Sequence, residues 1–188
     1  RDGDLVLIDA GCELDGYASD ITRTFPADGK FTGPQRAVYD LVLASQDAAV
    51  AATRAGARFI DPHEATVKVL SQGLLDLGLL DRNQVGGVED VIEKRAYFPF
   101  YMHRTGHWLG MDVHDVGEYR DPTVTGTERP WRTLQPGMVL TIEPGIYVRP
   151  GEGVPESFWN IGIRIEDDAL VTTEGCHILT HKAPKTIT

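Results

Sequence analysis

The sequence predicts an α+β domain with helices packed on one face of a largely antiparallel sheet. Two observations predict it: short alternating or apolar runs occupy both ends of the chain, and two capped helical stretches lie between them. A third bounds it. At 188 residues the chain has room for one sizeable domain and not for two, and it carries no internal repeat or low-complexity tract.

Leu5–Ile8 followed by Asp9-Ala10-Gly11 reads as a short buried strand that ends on a carboxylate and a glycine. Residues 16–25 (GYASDITRTF) alternate and carry β-branched and aromatic side chains, so they read as one strand paired to the first through a turn at Asp15-Gly16. Asp28-Gly29 turns the chain again. Thr32-Gly-Pro-Gln35 is a capping box that starts an Ala-rich helix running to about Arg54, with Val38, Leu41, Val42 and Ser45 at helical spacing. Asp61-Pro-His-Glu64 starts a second helix ending near Gly78, slightly weakened by Gly73. Val88–Arg95 reads as a third, shorter one. After a polar loop from Glu118 to Arg132, residues 138–148 form a strand that Pro144-Gly145 bends. Residues 161–166 (IGIRIE) alternate strictly, and Asp167-Asp168 is expected to turn into residues 169–172.

The composition, 41% hydrophobic and 24% charged, is that of an ordinary globular protein. A net charge of −10 makes nucleic acid and anionic membrane poor partners. No apolar run approaches the ~20 residues that a spanning helix needs. Cys12 and Cys176 form no disulfide framework and no CxxC pair, which points to reduced thiols and the cytoplasm. The chain opens at Arg1 and enters an apolar run at once, and we expect it to be a piece of something longer.

The chemistry concentrates in residues 101–115, YMHRTGHWLGMDVHD. Three of the six histidines, His103, His107 and His114, fall there, and imidazole is both the commonest metal ligand and the natural proton carrier near neutrality. Four carboxylates lie inside strand patterns rather than on polar faces: Asp9, Asp20, Glu143 and Glu166, the last sharing a face with Arg164. A single carboxylate in such a place most often caps a turn or pairs with a base. Four of them repel and are costly to desolvate unless cations hold them. An oxygen-rich set with one imidazole suits paired Mn, Fe, Co or Zn, and two ions together can clamp a water and polarise a carbonyl. The zinc-protease helix is excluded because Arg104 stands where it requires Glu, and no GxSxG elbow occurs. Cys12 reads as a small residue packed at a strand end.

The segments LIDAG with DITRTF, HWLGMDVHDVG, LQPGMVLTIEPGIYV and NIGIRIEDD occur in the order found in one family. Through them the chain resembles, almost end to end, the metal-binding half of the pita-bread (creatinase/aminopeptidase-like) metallopeptidases of family M24. The resemblance is greatest to the aminopeptidase P (Xaa-Pro aminopeptidase) group. Methionine aminopeptidases share the fold but not the Trp-Leu-Gly and VPESFWNIGIRIEDD wording. Prolidases (Xaa-Pro dipeptidases) share most of it.

The resemblance implies two divalent ions, manganese first among them, with cobalt, iron or zinc compatible with the ligands. Asp9 would be a bidentate ligand of one ion, Asp20 and Glu166 would bridge both, and His107 and Glu143 would complete the other. His103 and His114 would position the substrate carbonyl and stabilise the tetrahedral intermediate, with Tyr147 nearby. Arg164 would hold a bridging carboxylate in place. Hydroxide held by the ions would attack the carbonyl of a peptide's first residue, and Glu143 would carry the proton to the leaving proline nitrogen.

Family members carry a further half of the sheet before the first ligand. Residues 1–188 are therefore expected to be a single catalytic domain lacking its N-terminal half. Its expected partners are Xaa-Pro peptides, that missing part, and further copies of itself. A prolidase and a non-catalytic pita-bread module are the alternatives.

Overall fold

A computed structural model describes residues 1–186. Its strands pair only with antiparallel neighbours. β1 (Leu5–Ala10) and β4 (Ile21–Pro26) form a hairpin in register Asp9↔Thr22. A small two-stranded ribbon, β2 (Glu13–Leu14) and β3 (Tyr17–Ala18), extends from its tip. The expected single strand over 16–25 is thus divided. The turn falls at Asp15-Gly16 as expected, both residues having positive φ (53° and 83°), but the chain bends again before Asp20. Gly11 permits that bend: a Cβ there would overlap the Ser19 carbonyl.

The helices follow. The capping box at Thr32 and Gln35 is formed reciprocally and starts α1 (Gly33–Ala52). α2 (Asp61–Asp76) packs along α1, and Gly73 serves that packing, because a Cβ there would collide with Leu41. Two short helices come next, α3 (Arg82–Val85), absent from the sequence reading, and α4 (Val88–Glu93). Val38 and Val42 of α1 and Leu70 and Leu74 of α2 share one fully buried cluster with Ile146, Ile163 and Ile165 of the sheet. Burying side chains of this size stabilises the helix–sheet interface by about 1.5–3 kcal/mol each. Because strand side chains alternate, burying Ile163 and Ile165 against the helices turns Arg164 and Glu166 to the opposite face.

On that side the predicted strand over 138–148 is broken where expected, into β5 (Val139–Ile142) and β6 (Gly145–Tyr147). β6 pairs with β7 (Gly162–Arg164), and β5 pairs with β8 (Asp167–Val171), which also pairs with β9 (Cys176–Ile178). The hairpin β1–β4 joins this group through the Glu166 N–H, which donates to the Thr22 carbonyl at 3.0 Å.

Three further expectations are corrected. Asp167-Asp168 does not turn but opens β8, because both carboxylates have donors inside the fold: Arg23, Thr180, Gln46 and Lys185 for Asp167, and the Asp20 N–H for Asp168. β1 is half-exposed rather than buried, with Ile8 at 47%, since no described element covers its outer face. Cys12 is likewise exposed, held by Ser19, whose hydroxyl accepts from the Cys12 N–H at 3.0 Å.

Candidate metal centre

Residues 101–115 contain no helix. Part of the segment instead runs antiparallel to β5 as an irregular edge: the Thr141 N–H donates to the His107 carbonyl at 3.0 Å and the Glu143 N–H to Thr105 at 2.7 Å. Gly106 makes this approach possible, for a Cβ there would overlap the Thr141 carbonyl oxygen. His107 and Glu143 are thereby brought side by side.

His107 is buried, and its Nδ1 lies 2.9 Å from the Trp108 carbonyl, which fixes that nitrogen as the protonated one. Nε2 is left to face the cleft, 3.5 Å from both Asp20 Oδ2 and Glu143 Oε1. A ring nitrogen between two carboxylates calls for a positive charge at that point, which a metal ion can supply. One donor atom each from Asp20, His107 and Glu166 lies within 4.8 Å of the other two. Glu166 is 2% exposed, accepts from the Thr22 hydroxyl at 2.5 Å, and has Arg164 Nε 3.9 Å away.

The carboxylates carry the signature of an unneutralised cluster. Burial, and then the charge of Glu143, push the Glu166 carboxyl up to about 8. Burial pushes Glu143 up to about 7, against the opposing pull of Arg164. Burial and the neighbouring Asp9 raise Asp20. An oxygen-rich set with one correctly tautomerised imidazole fits divalent cations, which would remove the repulsion that these shifts record.

The five carboxylate and imidazole ligand candidates and the two other histidines meet here, while Arg164 stands beside them on Asp9. Asp9, Asp20, His103, His107, His114, Glu143 and Glu166 line one cleft of ≈ 550 Å³. Asp9 departs from expectation in being exposed: its carboxylate is ion-paired with Arg164 at the open side of the cleft. His114 is exposed and stacks on His107 with ring centroids 4.0 Å apart. His103 has Nδ1 2.7 Å from the Arg104 carbonyl, so its Nε2 accepts from the Tyr147 hydroxyl at 2.9 Å. That hydroxyl in turn accepts from Arg164 at 3.3 Å.

Sequence reasoning missed Thr22 and Thr141, which hold Glu166, His107 and Glu143 from behind. Thr141 Oγ1 accepts from the His107 N–H at 3.1 Å and reaches Glu143 at 3.4 Å. The signal was present in β4, where Thr22 and Thr24 share a buried face with Pro26 and both are polar.

The pKa shifts predict how metal-free protein responds to pH. Glu143 and Glu166 hold protons in the folded state that their ordinary value of 4.5 would release on unfolding. Folded protein then binds more protons than unfolded, so stability falls as pH rises. His63, pushed down to about 4 by burial, and His103, which burial also lowers, work the other way, by an effect that fades as pH rises past the ordinary 6.5. With chelator present, stability is expected to drop by about 2 kcal/mol between pH 6.5 and 8, read as a lower urea midpoint. A midpoint that rises over this window contradicts the assignment.

An α+β fold presenting four carboxylates and one oriented imidazole in a single cleft defines a protein built to hold divalent metal. The sequence profile of metallopeptidase family M24 matches residues 1–173, and the chain belongs to that family. It is 50% identical over 185 residues to the Xaa-Pro aminopeptidase of Escherichia coli K12, covering 98% of this chain and 40% of that protein. It is also 50% identical over 187 residues to the Xaa-Pro aminopeptidase of Haemophilus influenzae, covering 41% of it. The structure of Pseudomonas aeruginosa aminopeptidase PepP superposes with a TM-score of 0.92 at 54% identity, over 100% of this chain and 40% of that one. The architecture is the pita-bread fold, and the chain spans about two fifths of the length of the relatives it matches.

Proposed function

We propose that this chain is the metal-holding part of an exopeptidase that releases the N-terminal residue from peptides with proline in second position. The observation that carries this reading is the convergence of His107 Nε2, Asp20, Glu143 and Glu166 in one cleft, within a chain half identical to Xaa-Pro aminopeptidases. Asp9, Asp20, His107, Glu143 and Glu166 would hold two divalent ions, manganese in our reading. Such a pair supplies an acidified water and a polarised carbonyl.

The chain's own groups would do the rest. His114, beside the ligand imidazole, is assigned to the substrate carbonyl and to stabilising the tetrahedral intermediate. His103, committed through Nε2 to Tyr147, is assigned to holding the substrate in register. Glu143, which lines the cleft beside His107, is assigned to carrying the proton to the proline nitrogen. Arg164 fixes Asp9 and Tyr147.

We place residues 1–188 as the metal-binding part of a longer catalytic domain. The exposed Ile8, Leu14 and Tyr17 are assigned to contact with that remainder or with a second copy. No described helix is long and apolar enough to cross a membrane. Two free cysteines favour a reducing compartment, the cytoplasm in our reading.

The test is hydrolysis of an Xaa-Pro-Yaa tripeptide and an Xaa-Pro dipeptide by a polypeptide containing these residues and the N-terminal part. Manganese-dependent cleavage of the tripeptide before proline, stopped by chelator, is expected. Cleavage of the dipeptide alone would make the protein a prolidase. Cleavage of neither would leave a non-catalytic module.

A further inference from the structure

Arg104 stands out among the groups lining the metal cleft. Its side chain is exposed and has no ion-pair or hydrogen-bond partner among the described residues, although four carboxylates line the same cleft. It is not loose. Its guanidinium lies over the ring of Trp131, 5.0 Å from the centroid, and Trp131 also carries Arg120 at 3.5 Å. Its backbone carbonyl is the group that orients His103. The site's other cation, Arg164, is spent internally on Asp9, Tyr147 and Thr22.

Charge balance then gives Arg104 a purpose. On the reading proposed above, two divalent ions offset Asp9, Asp20, Glu143 and Glu166, which leaves both guanidiniums as excess positive charge; Arg164 still has acceptors in Asp9, Tyr147 and Thr22, whereas the Arg104 side chain has none among the described residues. The loaded cleft is left with one unpaired guanidinium on its wall, in a planar fork suited to a carboxylate. We propose that Arg104 is a specificity-determining residue that binds a carboxylate of the peptide in the cleft. The carboxylate is either the chain terminus of a short substrate or an acidic side chain beyond the proline.

The test is binding, which does not require turnover. Manganese-loaded protein, as wild type, Arg104→Gln and Arg104→Lys, is titrated calorimetrically with Pro-Leu, Pro-Leu amide, Pro-Asp amide and Pro-Asn amide. Wild type is expected to favour the carboxylate-bearing member of at least one pair by about five- to tenfold. Arg104→Gln should bring that ratio near one, and Arg104→Lys should restore part of it. Loss of the Pro-Leu preference identifies the chain terminus; loss of the Pro-Asp preference identifies the side chain. A wild type without either preference, or a ratio unchanged in Arg104→Gln, overturns the proposal. Failure of the tripeptide assay, with these ratios intact, would overturn only the catalytic reading.

Discussion

On the proposed function, Asp20→Asn is expected to lower Xaa-Pro cleavage by a polypeptide containing these residues by at least about a thousandfold while leaving the protein folded. Removing a group that merely supports a metal ligand typically costs about 10–100-fold. Asp20 is assigned to both ions, so the loss should be larger. Asn keeps the shape of Asp and can still sit in a site that is 8% exposed, and the backbone N–H of residue 20 still reaches Asp168 at 3.2 Å. What disappears is a negative charge 3.5 Å from His107 Nε2. The change also relieves repulsion in the metal-free cluster, where the neighbouring Asp9 helps raise the Asp20 carboxyl. Metal-free Asp20→Asn should therefore be at least as stable as metal-free wild type, which separates loss of the site from loss of the fold. Near-normal turnover would refute the bridging role.

The second large effect is structural. Asp167→Ala is expected to destabilise the fold by about 3–5 kcal/mol, the usual cost of leaving a buried charge without its partner. Asp167 is fully buried. Its Oδ1 accepts from Arg23 and Thr180, each at 2.7 Å, and its Oδ2 from Lys185 at 2.7 Å and Gln46 at 3.1 Å. Burial by itself would raise its carboxyl, but the hydrogen bonds from Lys185, Arg23 and Thr180 outweigh burial and hold it below the ordinary value. A depressed carboxyl contributes stability above its unfolded value and loses it in acid, so the contribution is complete at pH 7. Urea unfolding at that pH is the measurement, and a change below about 1 kcal/mol would contradict the account. The network matters to the site because Gln46 also reaches the carbonyls of Ile142 and Ile165, at 3.3 Å each. Those residues immediately precede Glu143 and Glu166, so α1 braces both carboxylates from behind.

Local signals were legible where local physics decides. The Thr32–Gln35 capping box, the Asp15-Gly16 turn and the Pro144-Gly145 break are each determined within a few residues, and each stands in the structure. The cluster of Asp20, His107, Glu143 and Glu166 was legible as chemistry because carboxylates inside strand patterns need a reason. Their separate roles came from the family resemblance and not from spacing.

What was illegible depends on distant partners. Asp167 and Asp168 read as a turn because nothing nearby neutralises them; Gln46 is 121 residues away from Asp167 and Arg23 is 144 away. Gln46 does sit on the stripe of Val38 and Val42, a polar residue in an apolar row, and that was an overlooked cue. The exposure of Asp9 follows from the open outer face of β1, which no local pattern reports.

The central claim is that five side chains form one site for two ions, and bound metal tests it most directly. After equilibration with excess manganese and removal of the free ion, elemental analysis should find two ions per wild-type chain and markedly fewer in Asp20→Asn. Wild-type protein that retains none, or a variant that retains both, would contradict it.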